Sequence, residues 1–241
     1  MPHFTRGDVS IYYEEYGEGF PLLTFAPGSL SSSIEWWHGA SAPVDPTTAF
    51  AGRYRVIAMD QRNAGQSRAP IATTDGWHTY VADHLGLLDH LGIERAHLYG
   101  QCIGGPFILA LLQAAPQRFP AAVVAQPIGR VAPDMAHSVA FDRWADALTG
   151  HPEATPEVLA AFHDNLYRNA FVYSVSREFA AACATLMLVL AGNDQAHPFA
   201  IAEELARLAP NTEFIPEWKD GPARDQALAR MRSFLAEHTP A

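Results

Sequence analysis

A cysteine stands alone among glycines in YGQCIGGP (residues 99–106), after the short apolar run AHLYG and before FILALLQ. Two chemistries fit a cysteine there. It is a small core residue, since free cysteine is among the most buried residue types. Or it is a nucleophile on a strained strand-to-helix turn. At such a turn the orphan amides and dipole of the following helix favour negative charge and draw a thiol down from about 8.5 towards neutrality. The second cysteine, Cys183, has no comparable setting and reads as packing. Other chemistries are poorly served. There is no H-x-x-x-H or H-E-x-x-H pair and no clustered cysteine, which argues against a metal site. No G-x-G-x-x-G follows the first strand and there is no P-loop, so no nucleotide cofactor, and no cofactor of any kind, is expected.

The elements that would hold Cys102 follow from hydrophobic periodicity. Candidate strands are 9–16, 21–28, 55–60, 96–100, 121–127, 185–192 and 212–218. The later ones are short continuous apolar runs, as in central strands covered on both faces. Helical spacing links Trp77, Val81, Leu85, Leu88 and Leu91, then Ile201, Leu205 and Leu208, then Leu228, Met231, Phe234 and Leu235. Strands alternating with helices imply a parallel sheet wound on both faces, an α/β fold. One interval, 128–184, breaks the alternation with helical patterns and several aromatics. An insertion of that length at the carboxyl ends of the strands is expected to form a lid.

Composition bounds the function. The 241 residues suit one α/β domain, and 49% hydrophobic against 17% charged residues excludes a disordered chain. A net charge of -10 with no basic run argues against nucleic acid. No apolar run reaches membrane-span length and the start has no leader-like core, so no membrane partner is expected. Two cysteines fit a reducing cytoplasm. A homodimer is left open.

The order of these parts resembles the α/β-hydrolase fold. GQCIGG matches the family's nucleophile elbow, G-x-(Ser/Cys/Asp)-x-G-G. MDQRNAGQS (59–67) resembles its D-x-R-G-x-G-x-S turn, with Asn63 in place of the first glycine, and LLTFAPGSLSSS resembles the oxyanion loop, with Pro27 where a histidine often stands. LVLAGNDQAHP (188–198) resembles the late strand that ends in the catalytic acid. The resemblance spans essentially the whole chain. It implies a mostly parallel sheet of about eight strands with helices on both faces, a core of 1–127 and 185–241, and a helical cap of 128–184. A cysteine in the elbow is similar to dienelactone hydrolases, a likeness not extended to their substrate.

The resemblance also assigns roles. Cys102 is the nucleophile, with Gly100, Gly104 and Gly105 allowing close strand–helix approach. The amides of Ile103 and Ser29 would hold the oxyanion. Asp194 is the acid that orients a histidine, its plainer alternative being a turn cap. The pattern then fails. After the last strand, where the family's histidine belongs, stands KDGPARDQ, and the next histidine is His238 at the chain end. Three histidines are candidates for the base: His197 beside the acid, His38 beyond the oxyanion loop, and His163 in the cap. A site with no histidine base also stays open. Trp37, His38 and His163 are candidates to line the pocket, with Trp36, Trp144, Phe162, Tyr167, Phe171 and Tyr173. His84 and His90 read as surface, like His3, His137 and His151; His97 reads as buried, His238 as solvated. Asp60 and Arg62 read as an internal pair, and Ser67 as a cap. The expected activity is cofactor-independent hydrolysis of a small apolar ester, lactone or thioester through Cys102. The alternative is a fold relative with other chemistry: a ligand binder, lyase or acyltransferase.

Overall fold

Apolar strand residues that alternate between two covered faces require helices above and below the sheet. The computed structural model has that architecture and describes residues 2–39, 42–131, 138–169 and 171–240. One sheet contains β1 (His3–Arg6), β2 (Val9–Tyr16), β3 (Phe20–Phe25), β4 (Tyr54–Met59), β5 (His97–Gln101), β6 (Ala121–Ala125), β7 (Leu186–Leu190) and β8 (Thr212–Ile215). Their spatial order is β1-β2-β4-β3-β5-β6-β7-β8. Pairing is antiparallel for β1 with β2 and β2 with β4, and parallel from there to β8.

Side chains sort by strand parity. Leu23, Phe25, Met187 and Val189 enter one apolar layer, closed by α2 (Trp77–His90), α3 (Gly104–Ala114) and α7 (Phe199–Leu208). Leu22, Leu188 and Leu190 enter the other, closed by α1 (Pro46–Ala49) and α8 (Gly221–Glu237). Burying each such aliphatic side chain stabilises the fold by about 1.5–3 kcal/mol, so the sheet is the rigid base for everything at its rim.

The seven strands read from the sequence are all present. The apolar runs overshoot at their carboxyl ends, where chain already turning out of the sheet carries Gly28, Pro127 and Gly192. The strand that escaped the reading is β1, four residues of which only Phe4 is buried. Several single-residue expectations need correction. His84 is fully buried rather than at the surface, bonds Gln61 at 2.7 Å, and is pushed by burial to a pKa of about 3. Asp60 and Arg62 are not a pair. Asp60 accepts from the amides of Ile34 and Gln66, while Arg62 pairs with Asp83 at 2.8 Å. Of the two caps Ser67 could make, of a helix or of a turn, it makes the second: its hydroxyl donates to the Asp60 carbonyl across the 60–67 turn and accepts from the Tyr12 amide of β2. His3 lies in β1, and His151 is half-buried against Glu153. His238 is half-buried, its ring edge-on to that of Phe234 at 4.8 Å, rather than solvated. His97 is buried as expected, and His137 lies outside the described residues.

Between β6 and β7 the chain forms α4 (Ser138–Asp146), α5 (Pro156–Tyr167) and α6 (Arg177–Ala182). Thr155 and Ser176 cap the latter two, accepting from the amides of Val158 and Phe179. Two indoles fasten this segment to loops beside the β4 carboxyl end. Trp144 donates to the Asn63 carbonyl at 3.0 Å, and Trp77 to the Leu166 carbonyl at 2.9 Å.

Candidate active site

Cys102 sits between β5 and α3 with φ 59°, in the left-handed region that L side chains rarely adopt. Such a residue costs about 1–3 kcal/mol and persists only where its surroundings over-determine it. Here three backbone hydrogen bonds do so. The Cys102 amide donates to the Ala125 carbonyl at 3.2 Å, and its carbonyl accepts from Gly105 at 3.1 Å and Ile128 at 3.2 Å. The flanking glycines answer to close approach. A Cβ on Gly100 would meet the Gly104 backbone at 2.9 Å, one on Gly104 the Phe25 carbonyl oxygen at 2.7 Å, and one on Gly105 the Pro127 Cβ at 2.6 Å. The first turn of α3 therefore lies directly under the cysteine. Cys183 is buried in the apolar core.

The loop between β7 and α7 supplies the facing groups. The His197 amide donates to Asp194 Oδ1 at 2.9 Å, and Nδ1 of the same histidine lies 2.8 Å from Oδ1 and 3.0 Å from Oδ2. This tight turn folds back on Gly192, where a Cβ would fall 2.1 Å from the His197 carbonyl oxygen. Asp194 side-chain exposure is 49% and that of His197 16%, so the carboxylate sits at the rim and the imidazole points inward. The inward nitrogen, Nε2, is buried and makes no hydrogen bond of ordinary geometry. The His197 and Cys102 side chains perturb each other's ionisation. Lys219, the chain's one lysine, donates to Asn193 Oδ1 at 2.6 Å and lies 3.4 Å from Asp194 Oδ2.

These contacts set the charges. Burial opposes ionisation of Cys102. The His197 side chain and the backbone amides of Ile103 and Gly28 outweigh it, leaving the thiol below its ordinary value. Burial likewise opposes a charged His197, yet Cys102 and Asp194 hold the imidazole above its usual value. Both shifts favour a thiolate–imidazolium pair. Asp194 lies below the ordinary carboxylate range: burial works against this, and His197 with Lys219 overcomes it.

Of the residues expected at the site, Cys102, Asp194, His197 and the Ile103 amide come together. The amide of Gly28 (φ 115°) faces the sulfur, and Ser29 (φ 54°) turns its hydroxyl towards Tyr167 at the end of α5. Tyr167 is also near enough to feel the Cys102 charge. His163 is one turn away, its ring 5.0 Å from that of Tyr167 and 4.8 Å from Phe141. The structure does not bring His38 or Trp37 to the thiol. His38 pairs with Asp45 at 3.1 Å and is 54% exposed; Trp37 is buried against Tyr99 in the opposite layer. Sequence reasoning missed Gly28, Gly192 and Lys219. A glycine two residues before the acid was the available signal for the backfolded turn. A cleft of about 370 Å³ lined by Asn193, Phe199, Trp218 and Lys219 runs behind the acid loop without including Cys102. Among the described residues no three His, Cys, Asp or Glu side chains group to hold a metal ion.

A family model described as alpha/beta hydrolase fold matches residues 21–195, most of the chain. The chain belongs to this family. The matched span includes the elbow and Asp194 and stops two residues short of His197. One relative is a 2-hydroxy-6-oxononadienedioate/2-hydroxy-6-oxononatrienedioate hydrolase of Paraburkholderia xenovorans, 36% identical over 46% of this chain and 38% of that protein. Another is 3-oxoadipate enol-lactonase 2 of Acinetobacter baylyi, 31% identical over 53% of this chain and 45% of that protein. The matches thus span about two fifths of the length of the curated relatives. Among solved structures, MGS-M2, an alpha/beta hydrolase enzyme from a Medee basin deep-sea metagenome library, superposes with a TM-score of 0.74. It covers 100% of this chain and 99% of its own at 18% identity, a likeness of fold. Among the described residues no helix is long and apolar enough to cross a membrane.

Proposed function

We propose that the chain is a cofactor-independent hydrolase that opens a small, fairly apolar ester, lactone or thioester through Cys102. The observation that carries this reading is the position of His197 between Asp194 and the elbow thiol. Cys102 Sγ, as thiolate, attacks the carbonyl carbon. The carbonyl oxygen becomes an oxyanion held by the amide of Ile103 and by the Gly28–Ser29 turn. Collapse expels the alkoxide or thiolate, which takes the proton from His197 Nε2 and leaves an acyl-thioester. The now neutral imidazole removes a proton from water, the hydroxide adds to the thioester carbonyl, and the acid departs as the thiolate–imidazolium pair re-forms. Asp194 keeps the imidazole in orientation throughout. Residues 128–184 serve as the cap, with Tyr167 over the nucleophile. One named relative is an enol-lactonase, which supports the lactone among these substrates.

The test is p-nitrophenyl acetate with wild type and Cys102→Ala. Wild type should give a burst and then steady turnover, and the variant neither. Turnover that survives Cys102→Ala would remove the nucleophile assignment. Steady release of acid into water separates hydrolysis from acyl transfer or lyase chemistry, and a protein without any turnover would be a ligand binder.

A further inference from the structure

Two residues beyond Ile128, whose amide holds the Cys102 carbonyl, stands Arg130. Its amide bonds the Phe171 carbonyl at 2.7 Å, and its Nη2 donates to the Tyr167 carbonyl. The guanidinium lies 5.9 Å from the centre of the Tyr173 ring, which packs edge-on to Tyr167 at 5.2 Å. Arg130 is thus built into the inner wall of the cap, one aromatic neighbour from the thiol. It lacks an anion. No carboxylate among the described residues forms an ion pair with it. The other arginines without one, Arg53, Arg68, Arg95, Arg143, Arg224 and Arg232, are all exposed, where water serves them. Arg130 is half-buried, and its Nε is buried with no acceptor. A buried donor of a charged group is costly to leave unpaired. The planar fork of a guanidinium matches a carboxylate.

Resting on the hydrolase reading above, we infer that Arg130 seats a carboxylate carried by the substrate at a distance from the bond that is cleaved. The preferred substrate is then an ester or lactone with an anionic end on its acyl or its leaving side, and the Tyr167 and Tyr173 rings fill the span between.

Two matched substrate pairs test this: p-nitrophenyl pentanoate against mono-p-nitrophenyl glutarate, and phenyl acetate against 4-acetoxybenzoate. They place the anion on the acyl or the leaving side. In one pair, Arg130→Gln should lower the acid-to-neutral ratio of kcat/KM by about 10–100-fold, the range of a hydrogen bond to a charged group, mainly through KM. Arg130→Lys should recover part of that loss, because it keeps the charge but not the fork. If circular dichroism shows Arg130→Gln unfolded, Arg130→Lys takes its place with an expected several-fold fall. Calorimetric titration of pentanoate and pentanamide into Cys102→Ala protein, with and without Arg130→Gln, reads binding without turnover. Pentanoate alone should weaken about tenfold. An unchanged ratio in both pairs overturns the carboxylate seat. Ester turnover that survives Cys102→Ala instead overturns the nucleophile reading, and the pentanoate titration then decides the role of Arg130.

Discussion

In the proposed mechanism the general base comes from the same loop as the acid. Asp194 and His197 are three residues apart, so a single Asx-type turn sets the carboxylate–imidazole geometry that relatives of this fold build from two loops. Position 219, after the last strand, carries a lysine that neutralises the outer oxygen of Asp194. This arrangement predicts the kinetics of two variants. His197→Ala should lower ester turnover by about 10²–10⁴, the range of a general base, while His38→Ala, at a surface pair with Asp45, should cost far less. Cys102→Ser asks the same question through the nucleophile. A serine hydroxyl has no useful anionic fraction near neutral pH and attacks only when a positioned base takes its proton. With His197 in place, the serine variant should keep hydrolysis measurably above a Cys102→Ala blank; activity equal to the blank would mean that no base reaches the nucleophile. Chemical labelling should follow the same contrast, with iodoacetamide near pH 7 modifying Cys102 well before the buried Cys183.

At the scale of elements, catalytic geometry depends on backbone turns that run out of the strands. Gly192 is the sharpest case, because the backfolded turn leaves 2.1 Å between a Cβ there and the His197 carbonyl oxygen. Gly192→Ala should therefore push the turn outward and carry Nε2 away from the sulfur. The expected result is a lower kcat together with an acid limb of the kcat/KM–pH profile moved up towards an ordinary thiol. A purely structural fault would lower activity without moving that limb. These turns also mark what the sequence could tell. Strand and helix positions were legible because both faces of each central strand are apolar and the helices carry clear stripes, as in Ile201, Leu205 and the neighbouring Ala202. The elbow was legible from its glycines. The fate of His84 was not: it lies on a helix whose other residues alternate in burial, and only the tertiary contact with Gln61 and the rings of Phe25 and Phe107 makes it a core residue. Sequence favours His197 over His38 and His163 because it lies three residues from Asp194 at the end of a strand, and the turn does bring its ring to that carboxylate.

Across the whole molecule, two buried histidines set how stability responds to acid. His84 is pushed by burial to about 3 and His97 to about 4, both below the ordinary value near 6.5. Below that value the unfolded chain takes up two protons that the folded chain refuses, so the unfolded state binds more protons and stability falls as pH drops. The loss should begin near pH 6.5, approach about 2.7 kcal/mol per pH unit from the two groups together, and ease only as pH nears 4. His197 works with the opposite sign. Its raised folded value adds stability that is full below its unfolded value and lost as pH rises through the folded one, so it cannot cause the acid loss. The carboxylates held low by partners, Asp194 among them, add their own loss only at lower pH. Urea midpoints between pH 7 and pH 5 therefore read chiefly the histidines, with the half-buried His163 adding in the same sense because burial holds it low as well. His97→Gln, which keeps a side chain able to reach Thr239, should be less stable at neutral pH yet lose about half of the wild-type slope. A variant slope equal to that of wild type would show that His97 takes up its proton in the folded protein as readily as in the unfolded chain.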